Sequence, residues 1–203
     1  MVTASRHCGG DVAMAGDRGM SFVELVVVMA IVALVSAMAV PLTANVLDDG
    51  RARQASGFLA SRFRLAQQQA VFKARAVALV FDRVGAHWTF RVCTDGNGNG
   101  VLRADIAAGR DRCPEGPYDV PQMFGGVQVD VDARLRGPDG EPGSADPVRF
   151  GASDIASFSP AGTCSAGTLF LRSAKGVQYA VRVGNVSGRI RLLRYDPGRR
   201  TWA

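Results

Sequence analysis

The sequence predicts an α+β fold, in which one long N-terminal helix packs on an antiparallel β-sheet or sandwich. The first observation is an apolar run at residues 25–40, interrupted only by Ser36, with helical periodicity continuing to residue 75. The second is a change after residue 75 to short runs of alternating apolar and polar residues. One helix followed by many strands favours α+β over an alternating α/β arrangement.

Composition narrows the class of protein. The 203 residues carry 24 Lys+Arg against 18 Asp+Glu, a net charge of +6, and 47% of them are apolar. This apolar share excludes a disordered chain and leaves room for one folded domain with an appendage. The two histidines, His7 and His87, give little basis for a catalytic triad or a His-rich metal site. Catalysis of these two kinds is therefore nearly excluded.

The apolar run is long enough to cross a membrane. Residues 20–40 match the roughly 20 residues that a bilayer core requires. Glu24 is the one charge inside this run, and an unpaired carboxylate there costs roughly 2.5–3.5 kcal/mol on insertion scales. Two plain interpretations stay open: a signal-anchor with Glu24 at the interface, or a secretory signal cleaved near Ala37 and Ala39.

The residues before the run carry a more specific pattern. Gly19 is followed by Met20, three further residues, Glu24 and then the unbroken apolar helix. This pattern resembles the class III signal peptide of type IV pilins and type II secretion pseudopilins, although Phe is commoner than Met after the glycine. The resemblance implies a leader peptide at 1–19, cleavage by a prepilin peptidase between Gly19 and Met20, and methylation of the new amine of Met20.

The resemblance also implies a role for Glu24 in assembly. In the family, this glutamate is thought to pair with the N-terminal amine of a neighbouring subunit, and a buried carboxylate does need a positive partner. The leader is long, and its charges cancel. A start at Met14 instead of Met1 would give the short and typical leader MAGDRG.

Pro41 follows the apolar run and sets the predicted boundaries. We assign 20–41 to a transmembrane and filament-core helix, 42–75 to an amphipathic helix and 76–203 to a periplasmic β-rich head. One face of the amphipathic helix carries residues at helical spacing, which predicts a buried stripe. The stripe contains Leu59, Phe63, Ala66 and Ala70, and we expect Phe58, Leu65 and Phe72 to continue it.

Six runs in the head predict strands because apolar and β-branched residues are concentrated in them. The runs are 76–82, 87–93, 127–131, 167–172, 177–183 and 189–195. The segment 114–147 is rich in Pro and Gly, so apart from 127–131 we expect it to be loop.

Cys93 and Cys113 bracket a glycine-rich loop of 19 residues. A head outside the cytoplasmic membrane lies in an oxidising compartment, so we favour a disulfide between them. A bridge there would stabilise the fold by about 3 kcal/mol on the loop-entropy model. Pairings that involve Cys164 stay open.

The same loop resembles a calcium-binding loop. Oxygen-bearing side chains stand at its first, third and fifth positions, with Gly100 at the sixth. The candidate ligands are Asp95, Asn97, Asn99 and Asp105. The closing acid is displaced, because Ile106 holds the twelfth position. The alternative is a Gly/Asn turn without an ion, and we expect no other cofactor.

A second resemblance covers the last third of the chain. Phe158, Pro160 and Gly162 form F-x-P-x-G, and the runs GTLFL and VSGRIR follow. These elements resemble the C-terminal domain of GspH/FimT-type minor pseudopilins, and with the N-terminal signal the resemblance covers most of 19–195. It implies a pilin fold and a non-enzymatic filament subunit.

The C-terminal region is strongly basic, with eight basic residues and one acid from residue 172 onward. In FimT-like pilins the G-R-x-R region is implicated in DNA binding, and Gly188, Arg189 and Arg191 match it. Charge alone adds three further candidates, Arg194, Arg199 and Arg200. The alternative is that these arginines only protect an edge strand from aggregation.

We therefore expect a minor pilin or pseudopilin in the bacterial inner membrane. It would cross the membrane once, hold its head in the periplasm and enter a type IV pilus or a type II secretion pseudopilus. The expected partners are other pilins, the prepilin peptidase, the membrane and double-stranded DNA. Two alternatives remain: an H-type pseudopilin acting only in type II secretion, and a signal-anchored periplasmic binding protein.

Overall fold

The computed structural model describes residues 19–184 and 188–203, without the side chains of 38–44. The predictions for 1–18, including the choice between Met1 and Met14, lie outside the described residues, as does the side chain of Pro41. The helices are α1 (Phe22–Lys73), α2 (Arg103–Ala107) and α3 (Val120–Met123). The strands are β1 (Val77–Val84), β2 (His87–Thr94), β3 (Arg112–Asp119), β4 (Val148–Arg149), β5 (Ile155–Phe158), β6 (Gly167–Arg172), β7 (Gln178–Val183), β8 (Ile190–Asp196) and β9 (Thr201–Trp202).

The chain divides into two compact units, Met1–Leu42 and Thr43–Ala203. In the second unit the strands form two antiparallel sheets. The N-terminal sheet has the order β3-β2-β1-β5, and the C-terminal sheet has the order β4-β6-β7-β8-β9. The predicted α+β class, a long helix with antiparallel sheets, is confirmed.

The core of the second unit forms around one stripe of α1. The predicted residues Leu59, Phe63, Ala66 and Ala70 are all buried, in one cluster with residues of both sheets. The ring of Phe63 lies 6.2 Å from that of Phe81 in β1 and 5.6 Å from that of Phe150. The small side chains of the alanines in the stripe let the sheets approach the helix closely. Burial of each large apolar side chain contributes about 1.5–3 kcal/mol to the free energy of unfolding.

Leu65 and Phe72 do not continue the stripe, so that part of the prediction is wrong. Leu65 is 38% exposed and Phe72 is 91% exposed. At about 100° per residue, each lies about 160–200° around the helix axis from Phe63, on the opposite face. Phe58 lies on the flank of the stripe, with its ring 5.6 Å from that of Phe124.

Strand β3 includes Pro114 and Pro117, which lie in a segment predicted as loop. It is the outer strand of the N-terminal sheet. On an outer strand half of the backbone N–H groups face away from the ladder, so proline is tolerated there. Its pairing with β2 is irregular, with register shifts on both sides of Val92.

The strand predicted at 127–131 is wrong. The segment contributes only an isolated bridge between Gln128 and Arg172. Val127, Val129 and Val131 are nevertheless buried, so the alternation marks a loop that packs its valines inward. Alternation alone reports burial on one side and does not distinguish a ladder strand from such a loop.

Ion pairs and hydrogen bonds fix α1 to both sheets. Arg62 donates to the Glu115 carboxylate of β3 and lies over the Tyr118 ring, 5.1 Å from its centroid. The Arg62 hydrogen bond holds the pKa of Glu115 below its ordinary value. Near the start of the second unit, Ser173 donates its hydroxyl to the Asp48 carboxylate.

Substitution of two phenylalanines in α1 tests this packing. Phe63→Ala should lower the free energy of unfolding by about 3–5 kcal/mol, because it leaves a cavity between the sheets. Phe72→Ala is the matched control on the same helix and should change it by less than about 0.5 kcal/mol. Urea denaturation of the full chain in mild detergent measures both. Equal effects would contradict the burial of the stripe.

Candidate functional site

The two residues predicted to be processed, Gly19 and Met20, precede the first turn of α1. Gly19 and Met20 are exposed and lie outside the helix, which begins at Phe22. The Ser21 carbonyl accepts the first helical hydrogen bond from Leu25 N at 3.0 Å. The bond between Gly19 and Met20, at which the resemblance predicts cleavage, therefore lies before the helix.

Glu24 stands in the first turn of α1, and its side chain is exposed. A carboxylate in this position is favoured by the positive end of the helix dipole. The apolar side chains around it are exposed as well, with Phe22 79% and Leu34 65% exposed. Across the part of the chain that the structure describes, no helix combines the length and the apolar character needed to span a bilayer.

Gly188 lies next to the Gln67 side chain of α1. Its φ of +58° lies in the left-handed region, and a Cβ atom there would come 2.4 Å from the Gln67 amide nitrogen. The residue is buried, so a side chain would have to displace Gln67 as well as adopt a strained φ. The positive φ is therefore the main reason for a glycine at this position of the G-R-x-R motif.

Arg189 and Arg191 follow on one face of the C-terminal sheet, because strand side chains alternate with a period of two. Both are exposed. Arg191 is the register partner of Arg182, which is paired with Asp139. Among the described residues, no acidic side chain forms an ion pair with Arg189 or Arg191. Their charges are available to an external anion.

Arg194 does not share this face. Its side chain points to the α1 side of the sheet, where it forms an ion pair with Asp49 at 3.2 Å. The Tyr179 hydroxyl donates to the same carboxylate at 3.0 Å. The structure therefore separates Arg194 from Arg189 and Arg191, although only a few residues lie between them in sequence.

Arg199 and Arg200 lie in the turn between β8 and β9, at the other end of β8 from Gly188. Both are exposed. Asp196 organises this turn, since its carboxylate accepts hydrogen bonds from Gly198 N at 2.9 Å and from Arg199 N at 3.2 Å. These two arginines thus form a separate basic position rather than an extension of the G-R-x-R motif.

A neighbouring basic residue was not predicted. A cavity of about 550 Å³ lies beside Gly188 and is lined by Arg64, Gln67, Gln68, Arg189 and Ile190. Arg64 is exposed on α1. The sequence showed only that Arg64 occupies the polar face of a helix, because its proximity to Arg189 depends on how helix and sheet pack.

The glycine-rich loop is closed by a disulfide between Cys93 and Cys113. Within it, Asp95 accepts hydrogen bonds from the backbone N–H groups of Asn97, Gly98 and Gly100 at 2.7–3.0 Å. A carboxylate that accepts several backbone hydrogen bonds stabilises a turn. This is what we expect of a Gly/Asn turn without an ion, the alternative to a calcium-binding loop.

Asp105 accepts hydrogen bonds from the side-chain amides of Asn99 at 2.8 Å and Asn97 at 3.1 Å, and from Arg110. The two amides present nitrogen to Asp105, whereas a calcium loop uses amide oxygens. In the described residues, no group of three or more His, Cys, Asp or Glu side chains is placed to hold a metal ion. Calcium binding stays a prediction.

The comparisons with known proteins concern the N-terminus. The family model for the prokaryotic N-terminal methylation motif matches residues 14–40. The chain therefore carries the class III signal that the pattern from Gly19 to Glu24 predicts, consistent with a type IV pilin-like protein or pseudopilin. No curated protein and no solved structure matches the chain.

The acid stability of the glycine-rich loop tests the role of Asp105. Hydrogen bonds from Asn99, Arg110 and Asn97 lower its pKa from 3.8 to about 2. A carboxylate whose pKa is lower in the folded chain than in the unfolded chain stabilises the fold at pH values above its ordinary pKa. This contribution is lost as the pH falls toward 2. The stability advantage of the natural chain over Asp105→Asn should therefore be constant above about pH 5 and shrink between about pH 5 and pH 2.

Urea denaturation of both chains across this pH range makes the measurement. A stability difference that stays constant down to pH 2 would show that the Asp105 carboxylate does not depend on these donors.

Proposed function

We propose that this chain is a minor pilin or pseudopilin, a non-enzymatic filament subunit of a type IV pilus or a type II secretion system. The observation that carries the proposal is the methylation motif at 14–40, placed directly before and into α1. In this proposal the prepilin peptidase removes residues 1–19, the segment 20–41 anchors the chain in the inner membrane, and the head of 76–203 lies in the periplasm.

The exposed apolar side chains at the start of α1 support this assignment. Residues such as Phe22, Leu25 and Ile31 stand exposed around the helix. A helix that is apolar on all sides needs lipid or neighbouring protein around it. In the membrane lipid would cover these side chains, and in the filament the same helix of other subunits would.

Glu24 then has a specific task. Once lipid or neighbouring helices surround it, its carboxylate needs a positive partner, since an unpaired buried charge is costly. Cleavage before Met20 creates an amine that can supply this charge on the adjacent subunit. This pairing would make processing a precondition for assembly.

Processing is tested by the mass of the N-terminal peptide from cells with and without the prepilin peptidase. With the peptidase, the mature chain should begin at Met20 and carry one methyl group on its amine. Without it, the leader should remain. A mature chain that begins elsewhere, for instance after Ala39, would contradict the pilin assignment.

Glu24→Ala serves as the matched variant for assembly. It should be cleaved and methylated normally yet be absent from purified filaments, because it lacks only the partner of the amine. Normal incorporation of this variant would show that Glu24 has no role in assembly.

We also propose that the head binds double-stranded DNA through Arg189 and Arg191, as part of DNA uptake linked to the pilus. What supports this is the exposure of both side chains on one face without ion pairs among the described residues. Arg64, across the neighbouring cavity, adds a third positive charge. Arginine binds phosphate through paired N–H groups, so such a cluster suits a nucleic-acid backbone.

Salt-dependent DNA binding of the full chain in detergent tests this second role. The double variant Arg189→Ala, Arg191→Ala should bind DNA more weakly. The slope of log K against log salt should be smaller in magnitude by about 1–2, because the variant neutralises fewer phosphates and therefore releases fewer counterions on binding. Arg83→Ala removes an equally exposed charge from β1 and is the control. If the double variant binds DNA like the natural chain, Arg189 and Arg191 do not form the DNA contact.

A further inference from the structure

The first residues of β8 form a ladder on one side only. β8 pairs with β7 along Ile190–Arg194, whereas β9 pairs with it at Tyr195 and Asp196. The backbone of Arg194 exchanges two further hydrogen bonds with Ala203, at 2.7 Å and 2.9 Å. From Arg194 back to the start of the strand, no other described strand pairs with the outer side of β8.

The hydrogen bonds show which backbone groups face this open edge. The backbone groups of a strand alternate between its two sides, so those of Ile190 and Leu192 share the outer side with those of Arg194. The C=O of Arg189 instead accepts from Gly184 N, on the β7 side, at 3.0 Å. On the outer side, no hydrogen bond joins Ile190 or Leu192 to another described residue. Two donors and two acceptors therefore lie in a row along the edge.

The other outer strands are protected against a further strand. β3 contains Pro114 and Pro117, which cannot donate to a ladder. Ser157 of β5 exchanges hydrogen bonds with Ser165 on its outer side, and β4 and β9 have only two residues each. None of these three protections applies to the edge of β8 in the described chain.

A groove follows this edge between β8 and one flank of α1. Two cavities lie along it, one of about 550 Å³ beside Ile190 and one of about 250 Å³ beside Leu192. Their helix sides are lined by Arg64 and Arg53, respectively. At about 100° per residue, Gly57 lies within about 40° of both arginines around the helix axis. A Cβ atom on Gly57 would meet no atom within 4 Å, so the flank leaves room for an added chain.

The charge along the groove favours an acidic occupant. Arg53 and Arg64 of α1 and Arg189 and Arg191 next to the edge are all exposed. None of the four forms an ion pair with Asp or Glu among the described residues. A second copy of this edge would bring the same positive charges together, and like charges on paired strands repel each other. The arginines thus discourage pairing between copies and fit a strand of opposite charge.

We propose that the open edge of β8 binds an extended acidic segment of another protein as an added antiparallel strand. Two apolar residues of the segment exchange backbone hydrogen bonds with Leu192 and Ile190 and face the flank of α1. The residues that alternate with them are acidic and face Arg191 and Arg189, because partners across a ladder point to the same face of the sheet. In such strand addition, main-chain bonds supply affinity and the alternating side chains supply specificity.

Peptide binding at this edge goes beyond the filament and DNA proposals and rests on neither. Duplex DNA can neutralise Arg189 and Arg191, but its phosphates only accept hydrogen bonds, so the C=O groups of Ile190 and Leu192 would stay unpaired. A peptide backbone supplies both donors and acceptors. Since peptide binding is measured without DNA, its failure would leave the DNA proposal standing.

NMR titration of the full chain in mild detergent with the acetylated and amidated peptide Val-Glu-Val-Glu tests the proposal. The peptide should protect the amide protons of Ile190 and Leu192 from hydrogen exchange. Val-Gln-Val-Gln should bind about three- to tenfold more weakly at low salt, because it lacks the two charges. Absence of protection at these two amides, or equal affinity for both peptides, would overturn the proposal.

The same exchange measurement identifies other occupants of the edge. Protection of Ile190 and Leu192 that rises with protein concentration, without peptide, would assign the edge to a second copy. Protection by duplex DNA and not by the peptide would assign it to nucleic acid. Either result overturns the proposal.

Methylation of backbone nitrogens in the peptide distinguishes a ladder from simple charge attraction. Methyl groups on both valine nitrogens remove the N–H donors that face β8, and should weaken binding at least about tenfold. Methyl groups on both glutamate nitrogens are the matched control. They should change the affinity less than about threefold, because these N–H groups face away from β8. Equal effects of the two modifications would overturn the added strand.

Charge reversal at Arg191 tests the register of the added strand. Arg191→Glu should weaken binding of Val-Glu-Val-Glu at least about threefold, because like charges then lie opposite each other. The peptide Val-Lys-Val-Glu should bind this variant more tightly than it binds the natural chain. Arg83→Glu changes an exposed charge of β1 and is the control that should alter neither affinity. Unchanged binding to Arg191→Glu, or no rescue by the lysine peptide, would overturn the proposal.

Discussion

The structure depends on the burial of one stripe of α1 against both sheets. The core cluster contains Leu59 and Phe63 of the helix together with Phe81 of the N-terminal sheet and Val181 of the C-terminal sheet. Neither sheet could exclude water from its inner face without the helix, because each sheet has one apolar face to cover. The helix thus joins the two sheets and sets where their edges lie.

That constraint determines which surface charges remain available. In the described residues, ten arginines form ion pairs with Asp or Glu, and several of these hold α1 or a loop against a sheet, as Arg62 and Glu115 do. Partly exposed pairs of this kind contribute little stability each, but they neutralise charge locally. Arg189 and Arg191 belong to the other half of the described arginines, which form no ion pair with Asp or Glu among these residues.

Local patterns predicted much of the fold. Helical spacing identified the buried stripe around Phe63, and alternation located β1, β2, β6, β7 and β8 within one or two residues. The same rules missed the short strands β4, β5 and β9. They also missed β3, whose prolines are tolerated because it is an outer strand. They also assigned a strand to 127–131, where the valines are buried without a ladder. The missed strands and the wrongly assigned strand have the same cause. Whether a segment forms a strand depends on the neighbouring strand with which it pairs, and local sequence does not identify that neighbour.

The sequence by itself determined three features: the N-terminal signal, the helix with its buried face and the excess of positive charge near the C-terminus. Each of them depends only on residues that are close together in the sequence. Only the tertiary structure decided which of those charges share a surface. Sheet register turned Arg194 toward Asp49, packing brought Arg64 beside Arg189, and β9 paired with only one end of β8. The physical reason is that contacts between distant residues follow from how elements pack, which no local period encodes.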